Sequence, residues 1–155
     1  MKIALLCVGR LGRAPEALLA RDYAERATAA GRALGLGPVE VLEVEARKPG
    51  KAAEAEALLA QIAPADHLIA CDERGKALAS RALAERVGTL RDDGARRLVF
   101  AIGGADGLAP EMLNAARETL AFGPQTWPHA LARAMLAEQV YRAVTILAGS
   151  PYHRD

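Results

Sequence analysis

Two patterns of apolar residues alternate along the chain. Short, strand-like runs cover Ile3–Val8, Val39–Val44, His67–Cys71 and Leu98–Ile102, with a weaker run near Leu120–Phe122. Between them, stretches rich in Ala, Leu, Glu and Arg predict helices over Glu16–Ala30, Ala52–Ile62, Ala77–Val87, Pro110–Thr119 and Ala130–Leu147. Pro15 and Pro110 suit helix starts, where a missing N–H costs nothing. Gly31, Gly88 and Gly149 follow periodic segments, as C-terminal glycines do. In the last helix Ala132, Leu136, Val140, Ala143 and Leu147 form one apolar stripe, and Arg133 and Arg142 fall off it. Glu138 precedes Arg142 by four residues, the favourable order for a helical ion pair. The alternation predicts one compact α/β domain over residues 1–155, a mostly parallel sheet flanked by helices.

Composition narrows the class. Apolar residues make up 52% and aromatics only 4%, so Ala, Leu and Val must build the core. Net charge is +1, far below that of proteins that grip naked RNA by phosphate neutralisation alone. Cys7 and Cys71 lie in strand-like runs and read as reduced thiols rather than a disulfide framework. The apolar opening is short, and charges at Arg133, Glu138 and Arg142 interrupt Ala130–Ala148, so neither a signal peptide nor a membrane span is expected and the location is read as cytoplasmic. Glu45–Glu56 is read as a mobile loop around the Pro49-Gly50 turn. Arg47, Lys48 and Lys51 make it basic, which fits a solvated loop or one that touches phosphate.

Four segments carry candidate chemistry. The strand Leu98–Ile102 ends in a glycine turn, Gly103-Gly104-Ala105-Asp106-Gly107, where a ligand can approach the backbone. The spacing is not that of a dinucleotide fingerprint, and no phosphate loop is present. Asp72-Glu73-Arg74-Gly75-Lys76 reads as a second turn, on the same sheet edge if both strands are parallel. Phe122-Gly123-Pro124-Gln125-Thr126-Trp127-Pro128-His129 is stiffened by two prolines and suits recognition of a purine edge through its backbone. The ending Ser150-Pro151-Tyr152-His153-Arg154-Asp155 joins an aromatic, an imidazole and a guanidinium, groups that stack on bases and pair with phosphate. The three histidines have no metal-ligand spacing, so no metal is expected.

Taken together, Ile102-Gly103-Gly104-x-x-Gly107-Leu108, Thr126-x-Pro128-His129, Arg133 with Glu138-Gln139-x-Tyr141-Arg142-Ala143, and Pro151-Tyr152-His153 resemble the RlmH (YbeA) family of SPOUT-class methyltransferases; Asp72-x-x-Gly75-Lys76 and Val8-Gly9 agree. The resemblance spans nearly the whole chain. It implies a SPOUT-type fold with a C-terminal trefoil knot and a homodimer with sites near the subunit interface. It also implies methylation of N3 of a pseudouridine in 23S rRNA on the assembled 70S ribosome, with S-adenosylmethionine as donor. Carried over by position, Cys71, Gly103, Phe122, Gly123, Pro124, Gln125, Thr126 and Trp127 would hold the donor. His129, Arg133, Arg142, His153 and Arg154 would place the base and stabilise its developing anion, and Tyr152 would stack on it. Action on another RNA such as tRNA, or a non-catalytic ribosome-binding dimer, are the alternatives.

Overall fold

Strand β1 (Lys2–Val8) is buried at every position from Ile3 to Val8, on both of its faces. Only a strand in the middle of a covered sheet can be apolar on both sides. The computed structural model describes residues 1–154; Asp155, the end of the charged tail, lies outside the described residues. After β1 come α1 (Pro15–Gly31), β2 (Val39–Val44), α2 (Lys51–Leu59), β3 (His67–Ala77), α3 (Ser80–Asp92), β4 (Arg97–Ile102), α4 (Pro110–Ala115), β5 (Glu118–Ala121) and α5 (His129–Leu147). The strands form one sheet in the order β2-β1-β4-β3-β5, and every neighbouring pair is parallel.

This order dictates which face each helix covers, because parallel crossovers are right-handed. The steps β1→β2 and β3→β4 run toward the β2 edge, so α1 and α3 share a face. There Ile3, Leu5, Phe100 and Ile102 meet Ala20, Ala24, Leu83 and Val87, and α5 adds Leu136 and Val140. The steps β2→β3 and β4→β5 run the other way, so α2 and α4 share the opposite face, where Ala4, Leu6, Val99 and Ala101 meet Leu58 and Met112. Pro15 and Pro110 open α1 and α4, and Gly149 takes the left-handed conformation (φ 68°) just past α5.

Several expectations are corrected. The helix read as Pro110–Thr119 stops at Ala115: Ala116 is extended, Arg117 N–H donates to Leu68 O at 2.9 Å, and Glu118 and Thr119 belong to β5. Cross-strand pairing overrides the helical composition there. Asp72–Lys76 is not a turn ending its strand but a bulge within β3, which pairs with β5 again at Lys76 and Ala77. The next helix therefore starts at Ser80 rather than Ala77, and continues to Asp92. Gly88 is consequently interior to α3 and not its C-terminal glycine; a Cβ there would lie 3.1 Å from Leu147 on α5. The segment read as a loop to Glu56 is helical from Lys51 onward.

Candidate active site

Because all five strands are parallel, their carboxyl ends meet on one edge, and the β3 bulge and the glycine turn after β4 line one cavity there. A cavity of about 700 Å³ opens at this edge. The β4 turn makes one wall. Gly107 N–H donates to Gly104 O at 3.0 Å, folding the segment back on itself. The fold-back brings backbone so close that a Cβ on Gly103 would lie 2.6 Å from the Gly107 carbonyl, so only glycine fits. A Cβ on Gly104 would lie 2.8 Å from the Glu54 carboxylate, which packs behind the turn from α2. One oxygen of that carboxylate, Oε2, is buried without a hydrogen-bond partner.

The β3 bulge makes a second wall with Asp72, Glu73 and Arg74. Arg74 donates to Asp72 through its backbone N–H (2.9 Å) and its Nε (3.1 Å). That side-chain hydrogen bond holds the Asp72 carboxyl below its ordinary range against the opposing effect of burial, with Lys51 adding a favourable charge. Leu120, Ile102 and Leu108 give the cavity apolar surface, along with Cys71, whose thiol is pushed up by burial and stays neutral. The proline loop closes the third side. Trp127 Nε1 donates to Phe122 O at 3.2 Å, fixing the loop as a compact ring with its indole 39% exposed. The loop ends in Pro128 and His129, the first residue of α5.

The structure therefore brings together Cys71, Gly103, Phe122, Gly123, Gln125, Thr126, Trp127 and His129 on one cavity. Pro124 shapes the loop without forming wall. Lys51, Leu120 and Ala132 also line the wall outside those candidates; Lys51 had a signal, in the basic segment before α2.

The remaining candidates lie elsewhere. Arg142, Tyr152 and His153 cluster on Glu138, about 14–20 Å along α5 from His129 at 1.5 Å per residue. Arg142 Nε (3.0 Å) and Tyr152 Oη (3.0 Å) donate to Glu138, Arg142 lies 4.9 Å over the Tyr152 ring, and its Nη1 meets His153 Nδ1 at 3.1 Å. Glu138 holds Arg142 firmly cationic, while burial, with Tyr23 and Glu138 adjoining, pushes the Tyr152 phenol well up, so it stays neutral. Arg154 is exposed beyond this cluster.

Arg133 is the exception among the cations. It was expected off the apolar stripe, yet it is 1% exposed. It pairs with Glu43 on β2 and donates to Val8 O (3.2 Å) and Gly9 O (3.0 Å) at the end of β1, leaving its own Nε unpartnered. Its place is a joint between elements.

An S-adenosyl donor suits these residues. Its size lies within the range such cavities hold, the glycine turn admits close approach, and a cation can be met by Asp72, Glu73 and Asp106 on the wall. No group of three or more His, Cys, Asp or Glu among the described residues is placed to hold a metal ion.

The family described as "Predicted SPOUT methyltransferase" matches residues 1–153. A ribosomal RNA large subunit methyltransferase H from Caulobacter sp. (strain K31) is 76% identical over 155 residues, covering 100% of both chains. The enzyme of that name from Phenylobacterium zucineum (strain HLK1) is 72% identical, again over 100% of both. The chain belongs to the SPOUT methyltransferases and, within that class, to the RlmH family. Among solved structures, the SpoU methyltransferase AviRb from Streptomyces viridochromogenes, in complex with AdoMet, is 18% identical with a TM-score of 0.46; the alignment covers 96% of this chain and 59% of that one.

Proposed function

We propose that the protein transfers a methyl group from S-adenosylmethionine to N3 of a pseudouridine in large-subunit (23S) ribosomal RNA. It acts as a cytoplasmic homodimer on the assembled 70S ribosome. The observation that carries this reading is the glycine-walled cavity of about 700 Å³ at the carboxyl ends of β3, β4 and β5. The full-length relatives named ribosomal RNA large subunit methyltransferase H support the choice of RNA.

The bound donor supplies an activated methyl group. What remains for the chain is to align an in-line attack, which is worth about 7–11 kcal/mol of barrier, and to manage the N3 proton. The backbone of Phe122–Trp127 reads the adenine edge, and Gly103 lets the donor lie against the β4 turn. Neutral Cys71 gives apolar surface, and Asp72 supplies a lasting negative charge. His129, at the mouth of the cavity, and the cationic Arg142, with His153 and Arg154, favour loss of the proton and stabilise the base anion. Arg133 supports them by fixing α5. Tyr152, kept neutral, stacks on the base.

In one chain the tail cluster is separated from the cavity along α5, and this supports the homodimer. An apolar groove on the same helix is lined by Leu19, Tyr23, Leu78, Leu131 and Met135 and adjoins the cavity at Phe122. Leu19 (45%) and Leu131 (37%) are exposed there, the surface a second copy would cover. The trefoil knot belongs to the same reading: β5 sits at one sheet edge, and the chain returns through the proline loop so that α5 packs beside α1 and α3. Labelled-methyl transfer to 70S ribosomes, free subunits and bulk tRNA tests the reading. Incorporation at one pseudouridine of 23S rRNA in 70S particles is expected, and incorporation only into tRNA would overturn it.

A further inference from the structure

The loops after β1 and β2 line neither the cavity nor the tail cluster, and both carry exposed cations. The β1–α1 loop is pinned at three places: Arg133 donates to Gly9 O at 3.0 Å, Leu11 N–H donates to Glu43 at 3.3 Å, and Arg21 donates to Gly12 O at 3.2 Å. Yet its own Arg10 and Arg13 stand exposed. The β2–α2 loop beside it carries exposed Arg47 and Lys48 and runs into Lys51, which forms part of the cavity wall. Gly9 N–H donates to Val44 O at 2.8 Å and Arg10 meets Glu45 at 3.6 Å, so the two loops are in contact. The Arg10–Glu45 pair is open to solvent on both sides and holds its arginine weakly. Arg13, Arg47 and Lys48 form no ion pair among the described residues. Glu43, the other acid of this corner, is committed to Arg133.

We infer that Arg13, Arg10, Arg47, Lys48 and Lys51 form one phosphate-binding strip for the sugar–phosphate backbone of the substrate RNA beside the target nucleotide. The strip leads across the ends of adjacent strands, spaced about 4.8 Å apart, to the wall of the donor cavity. The pinned β1–α1 loop favours binding, since little of its backbone entropy is lost when phosphates settle beside it. The strip also reconciles a net charge of +1 with an RNA substrate, because the positive charge is local to the edge where methyl transfer would occur. The assignment rests on the rRNA-methyltransferase reading above.

The test compares the full-length protein with R47E/K48E and with a control reversing two exposed cations at the opposite sheet edge, R32E/R96E. A fluorescently labelled single-stranded RNA oligonucleotide is titrated at several salt concentrations with S-adenosylhomocysteine present, and the same proteins are assayed on 70S ribosomes. R47E/K48E is expected to bind the oligonucleotide on the order of ten-fold more weakly and to lose about one to two units of salt slope. Its S-adenosylmethionine affinity is expected to be unchanged, and R32E/R96E to behave as wild type. Equal RNA binding by R47E/K48E and wild type overturns the inference. So does a fall in 70S methylation without a fall in oligonucleotide binding, which would assign the strip to a ribosomal protein. If the wild-type protein methylates no ribosomal RNA, the enzymatic reading fails whatever the oligonucleotide shows.

Discussion

Gly103 and Arg133 show how single residues fix this molecule. A side chain at Gly103 would overlap the Gly107 carbonyl at 2.6 Å, and backbone cannot yield as a flexible side chain can. Gly103→Ala should therefore open the β4 turn and weaken S-adenosylmethionine binding by about ten-fold or more, read by calorimetry; unchanged affinity would remove the turn from the donor site. Arg133, itself 1% exposed, pairs with a Glu43 carboxylate that is 20% exposed. Arg133→Met leaves that carboxylate uncompensated and should cost about 3–5 kcal/mol of unfolding free energy in urea. Adding Glu43→Leu should restore part of the loss. The sequence offered half of this. Gly103 stood out because a strand ran into a glycine cluster, but Arg133 looked like surface, since its partners lie 90 and 124–125 positions away in the chain.

At the scale of elements, the strands buried on both faces were readable from continuous apolar runs, and the helices from their periodicity. The failures cluster around β5. Glu118 and Thr119 carry no strand signal of their own; the strand forms because β3 presents an open edge and because Glu118 is held by two partners. Arg86 donates to it at 2.7–3.0 Å, and His67 lies against it at the start of β3. Burial works to raise the Glu118 carboxyl, but these partners outweigh it and keep it below its ordinary value of 4.5. A carboxyl lower in the folded state stabilises the fold above its unfolded value, and the benefit is lost as pH falls through the folded value. Stability should thus decline on acidification below about 4.5. Glu118→Gln should flatten that decline while lowering stability at neutral pH, measured by thermal melts across pH. An unchanged acid limb would dissociate Glu118 from it.

For the molecule as a whole, the face that each helix covers follows from the sheet order and handed crossovers, and the cavity from the common direction of the strands. Neither the path of the chain from β5 to α5 nor the meeting of the tail with Glu138 could be read from spacing, because both depend on contacts between distant segments. The groove over α1 and α5 should be the surface that pairs two copies. Leu19→Glu with Leu131→Glu should convert a dimer to a monomer in light scattering and abolish methyl transfer to ribosomes while S-adenosylmethionine still binds. A dimer that survives both changes would place the interface elsewhere.

The joint at Arg133 also bears on how the chain is made. Its acceptors lie at the ends of β1 and β2, 90 to 125 positions earlier in the chain, so they are synthesised well before Arg133. Until then the Val8 and Gly9 carbonyls lack the donors that anchor them in the finished protein. Because contacts of long sequence separation carry the largest loop-closure cost, this corner has only its nearer ties, Leu11 to Glu43 and Arg21 to Gly12, until α5 arrives. The contacts of Arg133 with Val8 and Gly9 set only when α5 docks, which makes the closing of this joint a late event in folding.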